Sequence, residues 1–166
     1  MPDWATVAIA LGSNVGERQA HLALATVRLR NLLRHFRLSS IYETDPIGVP
    51  GEQERFLNAA AVGETALDAC SLLNELLAIE REAGRERPYT GAARTLDLDL
   101  ILFDDRIIDE RQLVVPHPRF RERLFVLEPL AEIGAALVDP VTGRTVGELL
   151  ERLRKKRGTE ETEETA

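Results

Sequence analysis

The sequence predicts an α+β fold in which two helices pack on one face of an antiparallel sheet. Short apolar runs predict four strands, and leucines at helical spacing predict two helices between them. The predicted strands lie at residues 6–11, 38–43, 56–64 and 96–102, and the predicted helices at 18–36 and 67–83. This order of strand, helix, strand, strand, helix and strand is that of the split βαβ, or ferredoxin-like, arrangement, here followed by extra C-terminal elements.

The N-terminal half of the chain has local signals for its elements. The run TVAIAL at residues 6–11 predicts a buried strand that stops at GSN. Asn14 and Glu17, three residues apart, predict a capping box at the start of the first helix. The loop GSNVGER at 12–18 could present backbone N–H groups to a phosphate, but it lacks the lysine and spacing of a P-loop, so a turn is the stronger interpretation. The second helix is expected to end near Gly84.

The C-terminal third predicts shorter elements. After a turn at Asp104 and Asp105, residues 106–108 are expected to pair back onto the preceding strand. The run LFVLEPLAEI has helical spacing interrupted by Pro129, which suits an N-terminal turn or a bend. A last short helix is expected at 146–154.

Length and composition suit one compact domain, which we place at residues 1–157. The chain has 166 residues, of which 44% are hydrophobic and only 5% aromatic, so its core is expected to be aliphatic. The last residues, GTEETEETA at 158–166, predict a disordered acidic tail. The single cysteine, Cys70, cannot form an internal disulfide.

Charge and hydropathy narrow the classes of partner. The net charge is −7, and setting aside the four glutamates of the tail leaves −3 for the rest. A nearly balanced body argues against a general nucleic-acid-binding protein, which needs a net basic face. No apolar run approaches the roughly 18 residues of a membrane span. We therefore expect a cytoplasmic protein with neither nucleic acid nor membrane as its partner.

Two aspartates interrupt the apolar strand RTLDLDLILF. Successive side chains on a strand point to opposite faces, so Asp97 and Asp99 share one face, with Ile101 and Phe103, while the leucines from Leu96 to Leu102 share the other. Two carboxylates this close repel each other unless a cation holds both. Hard oxygen ligands on a rigid strand suit Mg²⁺, and an arginine at position 94 could bind phosphate through two parallel hydrogen bonds. Exposed aspartates on a solvated sheet face are the alternative.

Other polar residues fit a phosphate and heterocycle site. Two arginine groups, consisting of Arg81, Arg85 and Arg87 and of Arg119, Arg121 and Arg123, have the composition of a polyphosphate site, with ordinary solvated charge as the alternative. Glu80 continues the buried stripe of the second helix and needs a partner, either an arginine or a nucleotide. Phe56 and Asn58 share a strand face and could stack on a flat heterocycle and bind its edge, although core packing with a satisfied polar group is the more common role of such a pair.

Together these segments resemble a known family. ALGSNVGER, FLNAA, RTLDLDLILF and VPHPRFRERLFVLEPLAEI occur in the order found in the 6-hydroxymethyl-7,8-dihydropterin pyrophosphokinases of folate biosynthesis, over roughly residues 5–150. The resemblance implies a ferredoxin-like monomer that transfers a diphosphate from ATP to the hydroxymethyl group of the pterin and releases AMP. It also implies two Mg²⁺ ions as cofactors.

The resemblance assigns roles residue by residue. Asp97 and Asp99 match the metal ligands, and these two with Arg85 and Arg94 match the catalytic residues. The positions that match pterin-binding residues are Thr44, Ile47, Phe56, Asn58 and Phe125. The positions that match ATP-binding residues are Glu80, Arg85, Arg87, Arg94, Leu100, His117 and Arg123.

Two other functions remain open at this level. One is another Mg²⁺-dependent nucleotidyl transferase, since such enzymes also place aspartates on sheet strands; the FLNAA pair and the acidic charge disfavour it. The other is a small-molecule-binding module without catalysis, which leaves the aspartate and arginine assembly unexplained.

Overall fold

The structure, a computed structural model, describes residues 3–14, 17–44, 56–84 and 96–165, with side chains described as far as residue 159. The strands are β1 (Ala5–Ser13), β2 (Arg34–Leu38), β3 (Tyr42–Thr44), β4 (Phe56–Thr65), β5 (Asp97–Phe103), β6 (Ile108–Asp109) and β7 (Val114–Val115). The α-helices are α1 (Arg18–Leu32), α2 (Ala69–Ala83), α3 (Leu124–Gly134) and α4 (Val146–Thr165), and a 3-10 helix covers Phe120–Glu122.

The main sheet is antiparallel, and this confirms the predicted α+β class. Its strand order is β2-β4-β1-β5, and the short β3 also pairs with β4. Strand β1 pairs with β4 on one side and with β5 on the other, so the sequence-distant segments FLNAA and DLDL become neighbours of the same central strand. A separate two-stranded sheet joins β6 and β7.

Two apolar clusters cover the two faces of the sheet. On one face, residues of α1 and α2 such as Leu29 and Leu76 pack against the strands, as expected from the helical spacing. On the other face, Phe120 and Leu127 pack with residues of β1, β4 and β5 and with the first turns of α4. Burying this apolar surface on both sides is the main stabilising contribution to the fold. The extra C-terminal elements therefore form a second layer.

A β-bulge changes the predicted faces of β5. Ile9 pairs with Leu100 and Ala8 with Leu102, so Ile101 is an extra residue in β5 that has no pairing partner in β1. As a result Leu102 leaves the leucine face and joins Ile101 in the second cluster, while Phe103 packs on the helix side. The predicted alternation is right from Leu96 to Ile101 and wrong for Leu102 and Phe103, the last two residues of the strand.

The first helix ends earlier than predicted. Helix α1 stops at Leu32, Leu33 has extended backbone angles, and Phe36 lies in β2, which pairs with β4. Sheet pairing overrides the helical spacing of these apolar residues. A Cβ atom at Gly63 of β4 would lie 2.9 Å from the Cβ atom of Leu33, so glycine permits the close approach of this connection. The capping-box prediction is also wrong, because the N-cap is Glu17 and makes no side-chain cap.

Three further predictions need correction. The strand predicted at 38–43 is divided between the end of β2 and β3. The segment after the Asp104 turn pairs with β7 rather than with β5. Helix α4 continues to Thr165, where a disordered tail was predicted at 158–166; the glutamates of this segment are good helix formers. Among the described helices, none has an apolar stretch that could cross a membrane.

Candidate active site

A cavity of about 440 Å³ opens on the face of the sheet opposite α1 and α2. Its floor is formed by β1, β4 and β5, and its walls come from β3, the 3-10 helix, α3 and α4. The lining residues are Ala10, Leu11, Gly12, Thr44, Phe56, Asn58, Asp97, Asp99, Glu122, Arg123, Phe125, Val126 and Arg157. The cavity thus gathers six residues that the sequence analysis selected for metal or pterin binding.

Strand register aligns the two halves of this floor. Gly12 of β1 pairs with Asn58 on one side and with Asp97 on the other. Ala10 likewise pairs with Ala60 and with Asp99. Since neighbouring strands lie about 4.8 Å apart, the backbones of Asn58 and Asp97 are roughly 10 Å apart across Gly12. A Cβ atom at position 12 would lie 3.4 Å from the Asn58 Oδ1 atom, so glycine keeps the floor open between the amide and the carboxylate.

The carboxylate side of the cavity has the donor chemistry of a Mg²⁺ site. Asp97 and Asp99 are half-buried on the same face of β5, with buried Leu98 between them. In the described part of the chain, no group of three or more His, Cys, Asp or Glu side chains could hold a metal ion. A pair of carboxylates fits Mg²⁺, because this ion completes its shell with water and substrate phosphates rather than with a full set of protein ligands.

The opposite side of the cavity has the features of a heterocycle site. Asn58 is buried, and its Nδ2 atom donates to the Thr44 Oγ1 atom over 2.7 Å, which fixes the orientation of the amide. Phe56 and Phe125 are half-buried and line the same space from β4 and α3. The Arg123 guanidinium lies 5.6 Å from the centroid of the Phe125 ring, a cation–π distance. Two aromatic rings and an amide of fixed orientation suit a flat heterocycle that has polar atoms along its edge.

Glu80 and Leu100 lie away from the cavity lining. The Glu80 Oε2 atom accepts a hydrogen bond of 2.8 Å from the backbone N–H of Leu98 in β5. Glu80 therefore has a backbone partner, in addition to the arginine or nucleotide considered from the sequence. Leu100 is buried in the cluster under α1 and α2. Among the described positions matched to ATP binding, Arg123 is the one that lines the cavity.

His117 is positioned by backbone contacts on both sides. Its N–H donates to the Ile101 carbonyl over 3.0 Å, and its Nδ1 atom accepts from the Arg119 N–H over 3.2 Å. Burial lowers the pKa of His117 below its usual 6.5, and the positive charges of Arg123 and Arg119 lower it further, whereas Asp99 acts in the opposite direction. A lowered pKa favours the neutral imidazole at pH 7.

The segment before Arg123 and Phe125 is held by a buried ion pair. Asp139 is fully buried, and its carboxylate accepts from the Nε and Nη2 atoms of Arg121 over 2.6 and 2.9 Å. It also accepts from the Val141 N–H and the Thr142 hydroxyl. This arrangement ties the 3-10 helix to the turn that precedes α4.

Some predicted site residues lie outside the described part of the chain. These are Ile47, Arg85, Arg87 and Arg94. The structure instead adds Ala10, Glu122 and Arg157 to the cavity, which were not expected from the sequence. The glycine loop that begins at Gly12 was considered as a phosphate loop, but Gly12 and Ser13 are part of β1. No local pattern marks Arg157, because its position depends on how α4 packs.

Comparison with known proteins gives consistent similarities. A family model described as 7,8-dihydro-6-hydroxymethylpterin-pyrophosphokinase matches residues 8–135. A 2-amino-4-hydroxy-6-hydroxymethyldihydropteridine pyrophosphokinase from Bacillus subtilis is 48% identical over 127 residues, 75% of either chain. The Pseudomonas aeruginosa protein of that name is 41% identical over 146 residues, covering 87% of this chain and 89% of the relative.

Solved structures are similar at the level of the fold. A crystal structure of Plasmodium falciparum HPPK-DHPS has a TM-score of 0.71 and 15% sequence identity over 90% of this chain. A triple mutant of the same protein with pteroate has a TM-score of 0.74 and 14% identity. The present chain spans 45% of each of those chains.

Proposed function

The chain belongs to the 7,8-dihydro-6-hydroxymethylpterin-pyrophosphokinase family, and from this premise we propose how its residues carry out the reaction. It is an ATP-dependent diphosphotransferase of folate biosynthesis that acts on hydroxymethyldihydropterin. In the proposed reaction the hydroxymethyl oxygen attacks the β-phosphorus of ATP, and AMP leaves. The observation that carries the proposal is a single cavity with an aromatic and amide side and a two-carboxylate side, joined across Gly12.

The pterin ring occupies the aromatic side in this proposal. Phe56 and Phe125 stack on its two faces, and Asn58 binds its edge, with Thr44 holding the amide in one orientation. Ile47 lies outside the described residues, and its assignment to pterin binding is carried over from the sequence resemblance. Stacking on the two aromatic rings and hydrogen bonds along the ring edge orient the hydroxymethyl group toward Asp97, which pairs with Gly12 of the neighbouring strand.

The polyphosphate occupies the carboxylate side. Asp97 and Asp99 would hold two Mg²⁺ ions. Bound there, Mg²⁺ supplies charge neutralisation of the phosphates and lowers the pKa of an attacking hydroxyl. Arg85, Arg87, Arg94, His117 and Arg123 surround ATP together with Glu80 and Leu100 in this assignment, which is carried over from the sequence resemblance.

Positioning and electrostatics account for the proposed rate enhancement. The described lining includes neither histidine, cysteine nor lysine, and its aspartates are assigned to metal binding, so a protein nucleophile is not part of the proposal. Holding the acceptor oxygen in line with the phosphorus lowers the entropic part of the barrier. Arg85 and Arg94 stabilise the negative charge that grows on the bridging oxygen of the departing AMP.

We also propose the finer classification of the molecule. The strand order β2-β4-β1-β5, with α1 and α2 on one face, supports the ferredoxin-like interpretation. We assign residues 1–157 to a single domain that acts as a monomer, in the cytoplasm, where its substrate ATP is available.

The test is AMP release from ATP and Mg²⁺, with and without 6-hydroxymethyl-7,8-dihydropterin. Wild type is expected to form AMP only when the pterin is present. Asp97→Ala is expected to lose turnover by at least about a thousandfold, because a metal ligand is removed, while its unfolding stays cooperative. The matched control is Asp109→Ala, an exposed aspartate on β6 outside the cavity, which should keep wild-type activity.

Two outcomes would contradict the proposal. Formation of ADP, or no pterin-dependent AMP from wild type, would exclude diphosphate transfer to this acceptor and favour a binding module. Full activity of Asp97→Ala would remove Asp97 from the metal site, and loss of cooperative unfolding in that variant would make its role structural.

A further inference from the structure

The packing of α4 against the sheet places Arg157 at the cavity. Val146, Leu149 and Leu150 are buried in the cluster on the second face of the sheet, and Leu153 packs against it. Residues three and four apart lie on the same side of a helix, so Leu150, Leu153 and Arg157 form one stripe. Arg157 therefore continues the anchored face of the helix and, among the α4 residues with described side chains, is the one that lines the cavity.

Arg157 has hydrogen-bonding capacity to spare. Its Nη2 atom donates to the backbone carbonyl of Glu122 over 3.5 Å, a long hydrogen bond. Arg157 forms no ion pair with any carboxylate whose side chain the structure describes. A guanidinium has five N–H donors, so several remain for a ligand in the cavity.

The cavity also indicates which charged group would meet this arginine. Its lining includes the pterin-side residues Phe56, Asn58 and Phe125, whereas Glu80 and Leu100, matched to ATP binding, lie outside it. The same lining includes Asp97 and Asp99 of the proposed polyphosphate side, so the transferred diphosphate would stay in this cavity on the pterin after AMP has left. An arginine binds such a group through two parallel charge-assisted hydrogen bonds.

We propose that Arg157 is a further substrate-binding residue whose guanidinium binds the diphosphate on the pterin product, and this rests on the proposed function. It lies outside residues 8–135, the segment that matches the family model. By holding the transferred diphosphate after the bond to AMP has broken, Arg157 slows product release.

The experiment compares equilibrium binding of two ligands by calorimetry with Mg²⁺ present. The ligands are 6-hydroxymethyl-7,8-dihydropterin and its diphosphate ester. Arg157→Gln is expected to bind the diphosphate ester about tenfold more weakly and the uncharged pterin within twofold of wild type. Arg157→Lys should recover part of the loss, because it keeps the charge without the planar fork.

The matched control is Arg152→Gln, which removes the same charge from an exposed position of the same helix outside the cavity. Arg152→Gln should bind both ligands with wild-type affinity. If Arg152→Gln and Arg157→Gln both bind the diphosphate ester more weakly, net charge explains the effect and the inference is overturned. Equal affinity of Arg157→Gln and wild type for the diphosphate ester overturns the inference. If wild type shows pterin-dependent AMP release in that case, the proposed function stands; if wild type shows none, the proposed function itself fails.

Discussion

At the scale of single residues, burial decides how much an ion pair contributes to stability. The Arg121–Asp139 pair has a fully buried carboxylate, whereas the side chains of the Arg28–Glu82 pair are 44% and 32% exposed. Although burial alone acts to raise the pKa of Asp139, hydrogen bonds from Arg121, Thr142 and the Val141 N–H lower it overall below its ordinary 3.8. The ionised form is thus favoured in the folded state.

Removing the Asp139 carboxylate should be costly. Asp139→Ala leaves Arg121 partly buried without its partner, and we expect a loss of about 3 kcal/mol in the free energy of unfolding at pH 7. Glu82→Ala breaks the more exposed pair and should lower the free energy of unfolding by clearly less. Urea unfolding measures both. Equal losses would show that burial does not distinguish the two pairs.

At the scale of elements, one glutamate fastens β3 to α3. The Glu132 carboxylate accepts hydrogen bonds from the Ser40 hydroxyl, the Tyr42 hydroxyl and the Ser40 N–H. These bonds lower the pKa of Glu132 below its ordinary 4.5, the Ser40 hydroxyl contributing most. Because β3 ends at Thr44, which accepts from Asn58, this contact also supports the side of the cavity that we propose for the pterin.

The pH dependence of this contact has a definite sign. A lowered folded-state pKa adds stability above pH 4.5, and the contribution is lost as the pH falls through the folded-state value. Glu132→Gln resembles the protonated carboxyl, so its Tm should lie below that of wild type at pH 7, and the difference should shrink below pH 4.5. Thermal unfolding from pH 7 to 3.5 measures this. A difference independent of pH would exclude the carboxylate charge as its cause; Glu151→Gln is the surface control.

At the scale of the whole molecule, the two clusters share one sheet and should unfold together. Leu76 lies in the cluster under α1 and α2, and Leu127 in the cluster under α3 and α4; both are fully buried. We expect Leu76→Ala and Leu127→Ala each to lower the free energy of unfolding by about 2–5 kcal/mol in one transition. Two separate transitions in either variant would contradict the single-domain proposal for residues 1–157.

Much of the site followed from short-range patterns, and the errors arose where longer-range contacts decide. Alternation along β5 correctly placed Asp97 and Asp99 together on one face, because strand geometry alone determines that relation. The same alternation failed at Leu102, because the bulge depends on pairing with β1. Likewise Phe36 has helical spacing but lies in β2, because pairing with β4 stabilises the strand.

The sequence by itself determined the chemical character of this protein: two carboxylates on one strand face, an aromatic and an amide on another, and the family to which they belong. Only the tertiary structure decided that Gly12 pairs with both strands in one row, that Phe125 lines the same cavity, and that Arg157 reaches it from α4. The reason is physical. Periodicity determines which face of an element a side chain occupies, whereas register and packing between elements far apart in the chain determine which faces meet.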